Sequence, residues 1–78
     1  RVEYKPVNLS TLEELAAKKE LTAINVETLI AAGFISSNDR VKILGNGNVT
    51  KALTVTAHAF SKSAEAAITA AGGNVEKL

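Results

Sequence analysis

His58 is the only histidine of the chain, and Ser61 places a hydroxyl three positions beyond it. Nucleophilic catalysis by such a pair needs a carboxylate to orient the imidazole and donors to hold an oxyanion. The sequence has no acid between Asp39 and Glu65. His58 therefore reads as a structural group bonded to its own loop, or as a polar contact for a partner, and no enzyme activity is expected. The same acid-free interval carries Arg40, Lys42, Lys51 and Lys62. Net charge over the whole chain is only +1, because residues 1–39 hold more acids than cations. Four cations spread over this interval suit either an ordinary solvated surface or a surface that faces an anion.

Gly45-Asn46-Gly47-Asn48 has the composition of a phosphate cradle, since glycines let backbone N–H groups approach an anion. A dinucleotide fingerprint, however, needs a third glycine where Thr50 stands and a helix immediately afterwards, and a P-loop needs Gly-Lys-Ser/Thr. A tight turn centred on Asn46-Gly47 accounts for the segment more simply. As a two-residue hairpin it would set Leu44 against Val49 and Lys42 against Lys51. Opposed lysines destabilise a sheet unless something negative, such as a phosphate, lies over them.

Other chemistries are narrowed by composition. With no cysteine and one histidine, neither a disulfide framework nor a zinc site is expected, and nothing in the sequence implies a cofactor or a small-molecule substrate. No apolar run reaches the roughly 20 residues that span a bilayer, so the expectation is a cytoplasmic protein with no membrane partner. The chain opens at Arg1 inside a strand-like run, and further residues are expected upstream. Residues 1–78 are read as one domain. At this size about 60% of the unfolded surface is buried on folding, and Ala supplies much of the apolar content, so the core is thin and a stabilising partner is expected.

The elements that must hold these groups follow from pattern. Val2 to Leu9 suits a first strand at a sheet edge, because Pro6 has no N–H to donate. Ser10-Thr11-Leu12-Glu13 matches a capping box, followed by a helix to about Lys19 with Leu12, Leu15 and Ala16 inward. Asn25 caps a second helix through Val26, Leu29 and Ile30, which Gly33 ends at positive φ, with Phe34 and Ile35 folding back onto it. Extended runs are expected at Val41 to Leu44 and Val49 to Ala57. Ser61 or Ser63 opens a third helix with Ala64, Ala67, Ile68 and Ala71 on one stripe, ending at Gly72-Gly73 before a closing strand from Asn74. Phe60 is expected to be a core anchor, since a base-stacking surface normally needs further aromatics beside it.

The central spacing is Lys42-Ile43-Leu44-Gly45-x-Gly47-x-Val49, three residues, Leu53-x-Val55, four residues, Phe60-Ser61-x-x-Ala64-x-x-x-Ile68-x-x-x-Gly72. It resembles the signature of the bacterial large-subunit ribosomal protein L-fifteen family. Tyr4 to Leu9, Glu27-Thr28-Leu29, Ala32-Gly33 and Ala70-Ala71-Gly72-Gly73 also look like that family. The resemblance implies an α/β fold: a small irregular superhelix of β-β-α turns with three short helices and short strands. It implies the C-terminal globular domain of a longer protein, whose basic Gly-rich N-terminal extension is absent from these residues. In such a superhelix successive strands can belong to different sheets, so Lys42 need not face Lys51. The function implied is a structural constituent of the large ribosomal subunit that binds 23S rRNA, mainly through phosphates, and supports assembly. Charge and position nominate Arg40, Lys42, Lys51 and Lys62 for phosphate contacts, with His58 and Ser61 as hydrogen-bonding groups. The competing expectation is a module that docks on neighbouring ribosomal proteins while the extension binds RNA.

Overall fold

Six short strands and three helices follow one another along residues 4–78, the part of the chain that the computed structural model describes. They are β1 (Tyr4–Asn8), α1 (Leu9–Lys19), β2 (Ala23–Ile24), α2 (Val26–Ala31), β3 (Arg40–Leu44), β4 (Thr54–Ala57), β5 (Ala59–Phe60), α3 (Lys62–Ala70) and β6 (Asn74–Lys77). Odd strands form one sheet in the order β1-β3-β5, and even strands form a second in the order β2-β4-β6. Every pairing is parallel. The chain thus crosses from one sheet to the other after each strand and returns one place further along, which is the superhelix expected from the family resemblance. Parallel neighbours cannot be joined by tight hairpins, so each must be reached through a crossover.

The core lies between the sheets and the helices. Val41 and Ile43 on β3, Val55 and Ala57 on β4, and Ile24 on β2 are all fully buried. Leu12, Leu15 and Ala16 of α1, Leu29 of α2, and Ala64 and Ile68 of α3 close over them. These are the inward stripes that the i, i+3, i+4 spacing predicts. No helix among the described residues is long and apolar enough to cross a membrane.

Several local expectations hold. Pro6 sits on an edge strand, where its missing N–H costs no ladder bond. The Asn25 side chain accepts from the Thr28 N–H at 2.8 Å, and the Ser61 hydroxyl accepts from the Ala64 N–H at 3.2 Å, capping α2 and α3. Gly33 and Gly72 end those helices with φ of +85° and +87°.

Others are corrected. The first strand begins at Tyr4 in the described residues, and the Val2 end of the expected strand lies outside them. Ser10 is not a cap: α1 starts at Leu9, and the Ser10 N–H donates to the Asn46 carbonyl at 3.2 Å. Glu13 does not reach back to Ser10 but accepts from Thr50. The expected run from Val49 is strand only over Thr54–Ala57, because Val49 packs on the core and Thr50 is tied to α1. Of the pair expected to fold back on α2, Ile35 is buried while Phe34 stays 44% exposed. No hairpin forms at Asn46-Gly47, since β3 and β4 belong to different sheets.

What prevents the hairpin is packing across the loop. A Cβ on Gly45 would overlap the Ser63 hydroxyl and lie 2.7 Å from its Cβ, at the first turn of α3. One on Gly47 would lie 2.7 Å from the Ser10 Cβ and 2.8 Å from its backbone N, at the first turn of α1. The loop is therefore wedged between two helix starts, and the Asn46 carbonyl satisfies a first-turn N–H of α1 that no side chain caps. Gly33 offers a comparison at the same backbone sign, because a Cβ there meets nothing within 4 Å. Gly33→Ala is expected to cost only the left-handed penalty of about 1–2 kcal/mol. Gly47→Ala should cost that plus an overpacking term of about 1–3 kcal/mol, so its urea midpoint should fall clearly further.

Candidate nucleic-acid interface

In a parallel ladder, in-register partners point to the same side of the sheet, and alternate residues of one strand point to opposite sides. Val41 and Ile43 face the core, so Arg40, Lys42 and Leu44 face outward. Tyr4 pairs with Arg40, and Pro6 and Ala59 flank Lys42 on either side. The outer face of the first sheet thus carries two cations on alternate positions of its central strand, with small or rigid neighbours and an aromatic ring. Arg40 and Tyr4 are exposed and Lys42 is half-buried. Such a face, flat and cationic, can lie along a phosphate backbone without reading bases.

The acid next to Arg40 in sequence is directed elsewhere. The Asp39 carboxylate accepts from the Ser36 N–H at 2.8 Å and lies 4.0 Å from the Lys5 ammonium. Those interactions, the Ser36 N–H foremost, hold its pKa below the usual carboxylate value. Among the described residues, no carboxylate pairs with Arg40 or Lys42.

Lys51 is placed differently. It follows Thr50 in the loop between β3 and β4, where Glu13 reaches over from α1. The Glu13 carboxylate accepts from the Thr50 N–H at 2.7 Å and from its hydroxyl at 2.8 Å. The backbone bond from Thr50 is the main reason its pKa is lowered, followed by the hydroxyl, with Lys51 adding its N–H and its charge. The interval that lacks acids in sequence acquires one in space, and Lys51 shares its field. Lys62 is exposed at the first position of α3, directly after its cap Ser61. The Ser61 N–H donates to the Ile43 carbonyl at 2.9 Å, which sets this helix start beside the C-terminal half of β3.

His58 is the single residue between β4 and β5, at the corner where the chain passes from the second sheet to the first. Its backbone N–H donates to the Val41 carbonyl at 3.2 Å, and its Nδ1 accepts from the Val41 N–H at 3.0 Å. The imidazole thereby completes the backbone pairing of β3 where β5 has not yet begun. The ring nitrogen that a catalytic carboxylate would have to orient is taken by the main chain.

Of the six nominated residues, the structure brings Arg40 and Lys42 onto one face, puts Ser61 and Lys62 at the helix start near its far end, keeps Lys51 with Glu13, and buries the Nδ1 side of His58 in a corner. Tyr4 and Pro6 join the face only through parallel register, which leaves no mark on local sequence. A separate groove of about 370 Å³ runs between α1 and α2, lined by Leu15, Lys18, Lys19, Ala32 and Phe34 among others.

Comparison with known proteins agrees with this architecture along almost its whole length. Residues 6–76 match the family of ribosomal proteins that comprises 50S-L15, 50S-L18e and a 60S counterpart. Over 78 residues the chain is 65% identical to the large ribosomal subunit protein uL15 of Porphyromonas gingivalis. The corresponding figures are 63% for that of Parabacteroides distasonis and 60% for that of Bacteroides fragilis. All of this chain is covered in each comparison, but only 53% of each relative, so the chain spans about half their length.

Two outcomes follow from the bonds around this face. Replacing His58 with Ala leaves the fully buried Val41 N–H without its acceptor, and a stability loss of about 1–3 kcal/mol is expected in chemical denaturation. Because folding lowers the Glu13 pKa, its contribution is complete above the ordinary value of 4.5 and is lost as pH falls through the lower folded value. Glu13→Gln should therefore be less stable than the parent at neutral pH, and the gap between their urea midpoints should close in acid.

Proposed function

Because the chain belongs to the family of ribosomal proteins that includes 50S-L15 and 50S-L18e, we propose that it serves as a structural, non-catalytic constituent of the large ribosomal subunit, binding 23S rRNA through backbone phosphates and supporting assembly in the cytoplasm. The observation that carries this proposal is Lys42. Within the family's spacing pattern it is the one charged position, and the others have visible duties in the fold. Ile43, Leu53, Val55, Ala64 and Ile68 are core, Ser61 is a cap, and Gly45, Gly47 and Gly72 permit close approach or positive φ. Lys42 packs nothing inward and caps nothing, yet stands at the centre of an outward face beside Arg40.

Arg40 and Lys42 act together as phosphate ligands in this proposal, and Lys62 and Ser61 extend the contact from the start of α3. Lys51 contributes less, because Glu13 offsets part of its charge. His58 offers only its Nε2 side to RNA. Contacts of this kind position the protein and are sequence-tolerant. Docking on a large assembly also suits a thin core, since binding to the folded state stabilises it by linkage.

One observation favours the second function, docking on neighbouring ribosomal proteins. Phe34 is 44% exposed on the rim of the α1–α2 groove, which is away from the cationic face in its lining residues. The two functions separate in the salt dependence of binding to 23S rRNA fragments, because each phosphate neutralised adds about 0.7 to 0.9 to the slope. Arg40→Ala and Lys42→Ala should each weaken binding and reduce the slope by about 1, while Lys51→Ala should do less. A parent slope near zero would favour protein docking instead.

A further inference from the structure

We propose that Asn46 is a site of spontaneous deamidation, and that the fold itself both creates its reactivity and restrains it. Gly47 adopts φ of +95°, and a Cβ there would strike Ser10, so the residue after Asn46 is required to be glycine. That requirement places beside Asn46 the successor that hinders attack on its side chain least. The Gly47 N–H makes no hydrogen bond among the described residues, and both residues are exposed to water and base. None of the other asparagines, at positions 8, 25, 38, 48 and 74, precedes a glycine.

The chemistry balances with water alone. Once base removes the Gly47 amide proton, its nitrogen attacks the Asn46 Cγ; the Cγ–Nδ2 bond breaks and ammonia leaves with a proton from the solvent, closing a five-membered imide. Water then adds to one of the two imide carbonyls. Opening at Cγ gives aspartate, and opening at the main-chain carbonyl gives isoaspartate, in which the backbone runs through Cγ. Nothing is oxidised or reduced.

Two bonds oppose the ring closure. The Asn46 Nδ2 donates to the Asn8 side-chain oxygen at 3.3 Å, which holds the amide toward β1, and the Asn46 carbonyl accepts from the Ser10 N–H. The first is long for a hydrogen bond and exposed, so it slows the reaction without preventing it. The products differ in consequence. Aspartate leaves the backbone path intact and sets a carboxylate near the first turn of α1, where negative charge is favourable. Isoaspartate adds a methylene to a loop that is wedged between two helix starts and displaces the carbonyl that Ser10 uses.

The test is peptide mapping of the folded protein held in mildly alkaline buffer, with isoaspartate detected separately and the urea-unfolded chain run in parallel. The expected result is conversion at Asn46 to both products while the other asparagines remain intact, none in Asn46→Gln, and a several-fold faster rate in Asn8→Ala. The isoaspartate fraction, separated by ion exchange, should show a lower denaturation midpoint than the aspartate fraction. An Asn46 that persists in the folded protein after the unfolded chain has converted would overturn the proposal. So would a rate in Asn8→Ala no faster than in the parent.

Discussion

The arrangement of both sheets depends on how closely the loop after β3 passes the first turns of α1 and α3. At Gly45 it touches Ser63, and at Gly47 it touches Ser10, with no room for a side chain at either point. Because the loop fits there, its Asn46 carbonyl can satisfy an α1 N–H, and the chain can continue to Leu53 and enter the second sheet. A second close approach repeats the device at the other end of α3. Gly73 lies against the Leu53 backbone, and the Asn74 N–H donates to the Leu53 carbonyl at 2.9 Å, which starts β6 alongside β4. Glycine is used at both places because backbone must meet backbone or a helix start directly.

This construction explains how a short, Ala-rich chain can hold an extended flat face. Strands alternate between sheets, so each sheet gains a neighbour from a distant part of the sequence, and the small side chains of α3 let that helix lie close over β3 and β6. The inner face of β3 is consumed by the core, which leaves Arg40 and Lys42 to face out on alternate positions. His58 secures the same strand from the opposite side by replacing a backbone acceptor at the sheet-to-sheet corner. The residues that shape the face and those proposed to bind are therefore different, although they lie within one short segment. Sites built on strands that packing holds in place are more precise than sites on loops.

Helices, caps and the core stripe were legible in the sequence because their signals are local. Asn25, Ser61, Gly33 and Gly72 each act within a few residues of themselves. Two kinds of feature were not legible. The capping box at Ser10 and Glu13 was a valid local pattern that lost to longer-range partners, Asn46 and Thr50, which satisfied the same groups. The hairpin at Asn46-Gly47 failed for a related reason, since the glycines serve close packing against helices rather than a two-residue turn. Strands β2 and β5 have two residues each, too short for alternation to mark them. Parallel register, which brings Tyr4 and Pro6 beside Arg40 and Lys42, has no sequence signature at all. The acid-free interval was real in the chain but partly filled in space by Glu13.

The central claim is that the outer face of the β1-β3-β5 sheet is the surface that meets RNA. Chemical acylation of lysines, read by mass spectrometry with and without bound 23S rRNA, tests it residue by residue. Strong protection of Lys42 on binding, with Lys18 and Lys19 beside the α1–α2 groove still reactive, is the result this account requires. Protection of Lys18 and Lys19 with Lys42 left reactive would contradict it and move the RNA surface to the helices.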